Sequence, residues 1–167
     1  MRVEVEGRPP IDELTAPQLQ SALRNLRSYG PSSFASLTSV NGDYVQVAGG
    51  GVGCMIERRE ASTGRHFRAF RDRRHPVFSD GTILSFGGGK IPLQSDEWFN
   101  VADVQDVFLT FLNGLEFPEA IKWRDMSALL GSVKISAQAE GPKLGRIATV
   151  PMRLRRSSGS LSASSTA

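Results

Sequence analysis

Apolar residues recur at steps of three and four in two stretches of the chain, the spacing that places them on one face of a helix. In the first stretch they are Leu19, Ala22, Leu23 and Leu26, and in the second they are Val101, Val104, Val107, Phe108, Phe111 and Leu112. Thr15 and Pro17 are typical of a helix start, whereas Gly114 followed by Pro118 is typical of a helix end. The pattern therefore predicts two amphipathic helices, the second ending at Asn113-Gly114.

Short segments between and before these helices alternate apolar with polar residues, as half-buried strands do. The predicted strands are Val3 to Val5, Phe34 to Val40, Tyr44 to Val47, Cys54 to Arg59, Phe67 to Arg71 and Thr82 to Phe86. Asn41-Gly42 and Thr63-Gly64 are typical of hairpin turns, so neighbouring strands should pair antiparallel. The sequence predicts an α+β fold in which an antiparallel β-meander packs against two helices, within a single domain of residues 1–130.

Residues 131–167 differ in composition from the rest of the chain. They carry six basic residues against Glu140 and finish as SSGSLSASSTA. Side chains of this kind bury too little surface to offset the entropy lost on ordering. We expect a basic tail that is loosely attached at first and disordered from about residue 155.

Composition excludes several classes of protein. The chain has 167 residues, of which 40% are hydrophobic and 22% charged, as in one ordinary globular domain. No segment approaches the roughly 18 consecutive apolar residues that span a bilayer, and the first ten residues lack the apolar block of a secretory signal. We therefore expect a cytoplasmic protein with no membrane partner.

Charge is distributed unevenly along the predicted domain. Residues 57–79 contain seven arginines against Glu57, Glu60 and Asp72, whereas residues 80–125 contain eight carboxylates against Lys90, Lys122 and Arg124. Separated charge of this kind steers a charged partner toward one side of a protein. The sequence thus predicts a basic region and an acidic region on the folded domain.

No catalytic constellation can be assembled from the residue pattern. The glycine triplets at residues 49–51 and 87–89 do not open a helix and are not followed by the lysine of a phosphate-binding loop. Cys54 lies in an apolar strand, where a thiol is usually a small buried hydrophobe. His66 and His75 lack the ligand spacing of a zinc site. We expect no catalytic residues, no cofactor and no metal.

The order of several motifs resembles one known family. Tyr44-Val-Gln-Val-Ala-Gly-Gly50 is followed by a charged strand, by Gly81 and a glycine-rich turn, and by a helix ending Phe111-Leu-Asn-Gly114, with Pro118 and Trp123 beyond it. Over residues 33–127 this order is similar to the first of the numbered immunity families of bacterial polymorphic-toxin systems. The resemblance implies a non-enzymatic, intracellular protein that binds and blocks a cognate protein toxin. The arginine-rich stretch from Arg65 to Arg74 and the basic tail depart from the family's pattern.

An immunity protein of this kind can act by filling the substrate cleft of its toxin, for example a nuclease or deaminase. Carboxylates would imitate the negative charge of nucleic acid, and an aromatic residue would anchor the contact. The candidate acidic residues, expected to face solvent, are Asp96, Glu97, Asp103, Asp106, Glu116 and Glu119. Trp98 and Phe99 are the candidate anchors. For Trp98 and Trp123, packing in the core is the alternative.

Two other functions stay open at this point. The first is a nucleic-acid-binding module, because clustered arginines neutralise phosphates. Its residues would be Arg58, Arg59, Arg65, Arg68, Arg71, Arg73 and Arg74. The carboxylates interspersed among them and the absence of a recognition helix make nucleic acid the less favoured partner. The second alternative is a small enzyme of unknown reaction.

Overall fold

A computed structural model describes residues 1–28 and 31–130 of the chain. It contains nine strands and three helices in this part of the chain. The strands are β1 (Arg2–Val5), β2 (Ile11–Asp12), β3 (Phe34–Thr38), β4 (Tyr44–Gly50), β5 (Gly53–Arg59), β6 (His66–Phe70), β7 (Thr82–Phe86), β8 (Gly89–Leu93) and β9 (Lys122–Asp125). The helices are α1 (Ala16–Arg24), α2 (Val101–Leu112) and α3 (Ser127–Leu130). The predicted α+β fold is confirmed.

Seven strands form one antiparallel sheet in the order β2-β1-β3-β4-β5-β6-β9, and β7 pairs with β8 in a separate hairpin. Alternate residues of the central strands face two different cores. On one face, Leu37, Val47 and Ile56 pack against the apolar sides of α1 and α2. On the other, Phe34, Ala48, Met55 and Trp98 join the buried residues of the β7-β8 hairpin. The sheet is therefore covered on both faces, which accounts for strands such as β4 that are buried along nearly their whole length.

Both longer helices begin with side chains that satisfy the free N–H groups of the first turn. In α1, the side-chain oxygen of Gln18 accepts a hydrogen bond from the Thr15 N–H at 2.8 Å. In α2, Asn100 Oδ1 accepts from the N–H groups of Ala102 and Asp103, and Asp103 Oδ2 accepts from the Asn100 N–H. These are reciprocal capping arrangements that fix where a helix starts. They place Glu97, Trp98 and Phe99 immediately before α2.

Gly50 allows the end of α1 to lie directly on the sheet. A Cβ atom at this position would collide with the main-chain atoms of Leu26 and Arg27. The close approach also lets Ser28 Oγ donate a hydrogen bond to the Gly50 carbonyl at 2.8 Å. The middle glycine of the triplet thus serves packing of the chain after α1 on the sheet.

Four elements extend the predicted fold: the short strand β2, the strands β8 and β9, and the four-residue helix α3. Trp123 lies in β9 at the end of the sheet, half-buried against Phe117 at a ring-centre distance of 5.0 Å. The predicted basic tail, residues 131–167, lies outside the described residues. Within the described part of the chain, every helix is too short or too polar to cross a membrane.

Candidate binding groove at the sheet edge

A row of polar residues crosses the face of the sheet that carries the hairpin. Gln46 on β4 lies opposite Glu57 on β5, Glu57 lies opposite Arg68 on β6, and Arg68 lies opposite Arg124 on β9. The pairing register of three neighbouring hydrogen-bonded ladders thus brings the four side chains side by side. The β4-β5 hairpin, the β5-β6 hairpin and the long-range pairing of β6 with β9 create this arrangement.

Hydrogen bonds connect the first three members of the row. Gln46 Nε2 donates to Glu57 Oε2 at 2.7 Å, and Arg68 donates to Glu57 Oε1 from Nε at 3.0 Å and from Nη2 at 2.8 Å. The Glu57 residue is 8% exposed and Gln46 is 3% exposed. Because both oxygens of this buried carboxylate have donors, its charge is compensated where water is excluded.

Glu97 joins the row from the segment between β8 and α2. Its Oε1 accepts from Arg124 Nη1 at 2.5 Å, and its Oε2 lies 3.6 Å from Arg68 Nη1 and accepts the Gln94 N–H at 2.9 Å. Arg124 also donates from Nη2 to Asp96 Oδ2 at 2.9 Å. Two guanidinium groups and three carboxylates therefore form one connected cluster with one more negative than positive charge. We call it the ion-pair row (Gln46, Glu57, Arg68, Asp96, Glu97 and Arg124).

Three members of the ion-pair row, Arg68, Glu97 and Arg124, line a groove of about 760 Å³ between β8 and the β9–α3 segment. We call it the edge groove; its lining residues are Arg68, Lys90, Ile91, Pro92, Gln94, Glu97, Arg124, Asp125, Met126 and Leu129. The walls are largely apolar, and Leu129 is 61% exposed. An apolar concave surface with a few fixed polar groups is the usual composition of a binding site.

The expectation that the acidic candidates face solvent is wrong for part of the set. Glu97 is only 2% exposed and is held by Arg68 and Arg124. Asp96 pairs with Arg124, and Asp103 pairs with Arg71 at 2.5 Å. Their charges are thus neutralised within the protein. The exposed members of the set are Asp106, Glu116 and Glu119, and none of them forms an ion pair with another described residue.

The two aromatic anchor candidates, Trp98 and Phe99, are core residues, and core packing was the stated alternative for Trp98. Trp98 is 5% exposed, and its ring centre lies 4.1 Å from that of Phe78. Phe99 is 2% exposed and exchanges two main-chain hydrogen bonds with Cys54, both at 2.9 Å. The neighbouring Glu97 carboxylate can be buried together with these rings because Arg68 and Arg124 compensate its charge.

Cys54 and the two histidines are engaged in structural contacts. Burial raises the pKa of the Cys54 thiol to about 12, with the Asp103 carboxylate contributing in the same direction. Burial also lowers the pKa of His66, and its ring meets Tyr44 edge-on. His75 Nδ1 accepts hydrogen bonds from the N–H groups of Val77 and Phe78. In the described part of the chain, no cluster of three metal-ligating side chains occurs.

Most of the arginine-rich stretch is paired with the protein's own carboxylates. Arg58 pairs with Glu60, and the pairs Arg65–Asp125, Arg68–Glu57, Arg71–Asp103 and Arg74–Asp80 follow along the chain. Arg59 and Arg73 form no ion pair with another described residue. The cationic surface is therefore much smaller than the number of arginines indicates.

Comparison of the chain with protein-family models, curated proteins and solved structures gave no significant match. Functional inference therefore depends on the edge groove and its surroundings.

Glu57 and Arg124 are site residues that the sequence did not single out, and Arg68 was a candidate only for contact with nucleic acid. The sequence does contain a signal for the pairing of Glu57 with Arg68. The hairpin turn at Thr63-Gly64 sets the register in which Glu57 faces Arg68, and an opposite-charge pair across a hairpin is a favourable one. No local pattern connects Arg124 to Arg68, because 56 residues of sequence separate them and the pairing of β9 with β6 is a tertiary choice.

Proposed function

We propose that this protein is a non-enzymatic immunity protein that binds a cognate toxin domain and occludes it, and that the edge groove is the contact surface. The observation that carries the proposal is the groove itself, an apolar concave surface of about 760 Å³ over a preformed ion-pair row. The motif order across residues 33–127 supports the immunity function.

The charged groups of the groove suit recognition better than proton transfer. Both oxygens of Glu97 already accept hydrogen bonds, and Arg68 is shared between Glu57 and Glu97. A general base must be free to take a proton from its substrate. Groups that are fixed in advance lose little entropy on association, which favours tight binding.

The groove also lies beside the free edge of a sheet. Strand β9 pairs with β6 on one side and with no described strand on the other. An extended segment of a partner can add to such an edge through main-chain hydrogen bonds while its side chains enter neighbouring pockets. Met126 and Leu129 on one wall and Ile91 and Pro92 on the other provide apolar pockets of this kind.

The test first looks for a large reading frame beside this chain's gene, which an immunity function requires, and then uses the C-terminal domain that this frame encodes. We expect co-expression of the wild-type chain to restore growth of cells that produce this domain, and the two purified proteins to form a stable complex by calorimetry. The Lys90→Glu/Leu129→Glu variant should bind at least about tenfold more weakly, because two new carboxylates enter the groove walls.

The matched control is Arg8→Glu/Val40→Glu, which makes the same two types of substitution at exposed positions outside the groove. It should protect and bind like the wild-type chain. Equal binding by both variants would remove the groove from the proposal. Failure of the wild-type chain to bind or protect, or the absence of such a neighbouring gene, would overturn the immunity function itself.

A further inference from the structure

Two adjoining cavities border the segment between β8 and α2, away from the edge groove. The first, of about 300 Å³, is lined by Val52, Arg71, Arg73, Arg74, His75, Pro76, Ser95, Trp98, Phe99, Asn100 and Asp103. The second, of about 430 Å³, is lined by Arg74, His75, Pro76, Val77, Phe78, Ser79, Asp80 and Ser95. Because four residues line both cavities, they form one continuous concave surface, which we call the basic end. None of its residues lines the edge groove.

Arg73 and Arg74 give the basic end its charge. Arg73 is exposed and forms no ion pair with another described residue. The Arg74 side chain is 80% exposed and approaches Asp80 only to 3.5 Å, a pair of the kind that contributes little in water. Arg71, by contrast, is held by Asp103. The fold therefore makes little use of the Arg73 and Arg74 charges, which are free for a ligand.

Exposed apolar side chains accompany these charges. Val52, which lines the first cavity, is 75% exposed, and Val77, which lines the second, is 76% exposed. Few other large hydrophobic residues in the described chain are exposed to this extent. Arginine is enriched where proteins contact proteins, and exposed apolar side chains beside it add surface that a partner can remove from water.

The wall behind the cavities is rigid. The rings of His75 and Phe78 stack with centres 4.6 Å apart, and Phe78 in turn lies 4.1 Å from Trp98. The start of helix α2 also borders the first cavity, but its N–H groups are already used by Asn100, Asp103 and the Gly51 carbonyl. Binding of an anion here must therefore depend on the arginine side chains rather than on the helix.

We propose that the basic end is a second interaction surface, which docks an acidic segment of a protein that also carries apolar side chains. Carboxylates of the segment pair with Arg73 and Arg74, and its apolar side chains cover Val52 and Val77. Nucleic acid fits less well, because tight binding to it draws on many phosphate contacts or on exposed rings for base stacking. Here Arg73 has no ion-pair partner among the described residues, Arg74 is only weakly paired with Asp80, and Trp98 is buried.

The experiment measures fluorescence anisotropy of a labelled short peptide of glutamate and leucine residues, mixed with the full chain. A peptide with glutamine in place of glutamate and a single-stranded DNA oligonucleotide are the parallel probes. We expect the acidic peptide to bind at least about tenfold more tightly than the glutamine peptide, and Arg73→Glu/Arg74→Glu to remove this difference. Val52→Ala/Val77→Ala should weaken binding of the acidic peptide severalfold.

The charge-matched control is Arg8→Glu/Arg24→Glu, at exposed arginines that line neither cavity. It should bind the acidic peptide like the wild-type chain. Equal loss in the two double variants would mean that net charge, not the basic end, attracts the peptide, and would overturn the proposal. Tighter binding of the oligonucleotide than of the acidic peptide would also overturn it, in favour of nucleic acid. Neither result bears on toxin binding at the edge groove.

Discussion

The guanidinium of Arg58 lies over the ring of Trp123, with its central carbon 5.0 Å from the ring centre. The same carbon lies 4.5 Å from the ring centre of Phe67 and 5.4 Å from that of Phe117. One cation on β5 is thus enclosed by rings from β6, from β9 and from the segment before β9. Because each ring attracts the cation through its electron-rich face, Arg58 links the last strand of the sheet to the strands that precede it.

Replacing Arg58 should loosen this end of the sheet. We expect Arg58→Ala to lower the free energy of unfolding by about 2 kcal/mol, through lost packing of the side-chain stem together with lost cation–π attraction. Arg58→Met keeps the stem and should cost about half as much. Urea denaturation measures both, and Arg24→Ala on the exposed side of α1 is the control. A loss no larger for Arg58→Ala than for Arg24→Ala would contradict the enclosure.

Removing the charge of Glu97 should lower the free energy of unfolding, although the substitution hardly changes the size of the side chain. In Glu97→Gln, Arg68 keeps Glu57 and Arg124 keeps Asp96, so neither arginine is left without a carboxylate. The variant still loses the buried, charge-assisted hydrogen bond between Glu97 and Arg124, which should cost about 2 kcal/mol. Thermal and urea unfolding should both report the loss. Asp106→Asn alters an exposed carboxylate without a described ion-pair partner and should change stability by about 0.5 kcal/mol or less. Similar values for the two variants would mean that water reaches the ion-pair row.

Charge reversal of the exposed acidic candidates tests the remaining part of the acidic-surface hypothesis. The triple variant Asp106→Lys/Glu116→Lys/Glu119→Lys should fold normally, since all three residues are exposed. If the edge groove is the contact surface, the variant should still protect cells from the cognate toxin. Circular dichroism and the growth assay check the two expectations. Loss of protection by a folded variant would move the toxin contact to these carboxylates.

The stability of the protein should fall at alkaline pH because of Cys54. Its pKa is raised from 9.0 to about 12, so the folded state favours the protonated thiol. The contribution is complete below pH 9 and is lost as the pH rises from about 9 toward 12, at roughly 1.4 kcal/mol per pH unit. Between pH 8 and pH 10.5 the wild-type chain should lose about 2 kcal/mol more than Cys54→Ala. Parallel pH profiles for the two proteins would contradict burial of the thiol.

Gly50 and Gly51 should respond differently to the same substitution. A Cβ atom at Gly50 would collide with the main chain at the end of α1, so Gly50→Ala should cost about 3 kcal/mol or prevent folding. At Gly51 a Cβ atom meets nothing within 4 Å, but the residue has a φ of +64°, so Gly51→Ala should cost about 1 kcal/mol. Denaturation midpoints distinguish the two. An equal, small loss of stability in both variants would mean that the main chain after α1 lies farther from Gly50.

Local sequence signals were sufficient for most of the fold. Asn41-Gly42 and Thr63-Gly64 mark real hairpins, and the apolar spacing of residues 101–112 marks α2. Strand β8 was not predicted, because Gly89 and Pro92 are residues that disfavour strands. Strand β9 has only four residues, of which three are charged and one is aromatic, so it shows no apolar alternation. Its formation depends on pairing with β6, which lies far away in sequence.

Sequence patterns predicted the site less well than they predicted the fold. Exposure was inferred from charge, and this inference holds for Asp106 but fails for Glu97, because the arginines that compensate Glu97 come from β6 and β9. The desolvation of a carboxylate depends on its tertiary partners rather than on its neighbours in sequence. An acidic segment in a protein with many arginines can therefore be part of the interior.

The position of β9 in the chain also sets an order for folding. Strands β3 to β6 pair with their immediate neighbours in sequence, so this part of the sheet can form through short loops soon after it is synthesised. The pairing of β9 with β6 closes a loop of about fifty residues, which costs more chain entropy and comes later. Until then Arg124 is absent from the ion-pair row and β6 is an unprotected edge. The nascent chain is thus most exposed to aggregation just before β9 arrives, at the same place where the mature protein presents its groove.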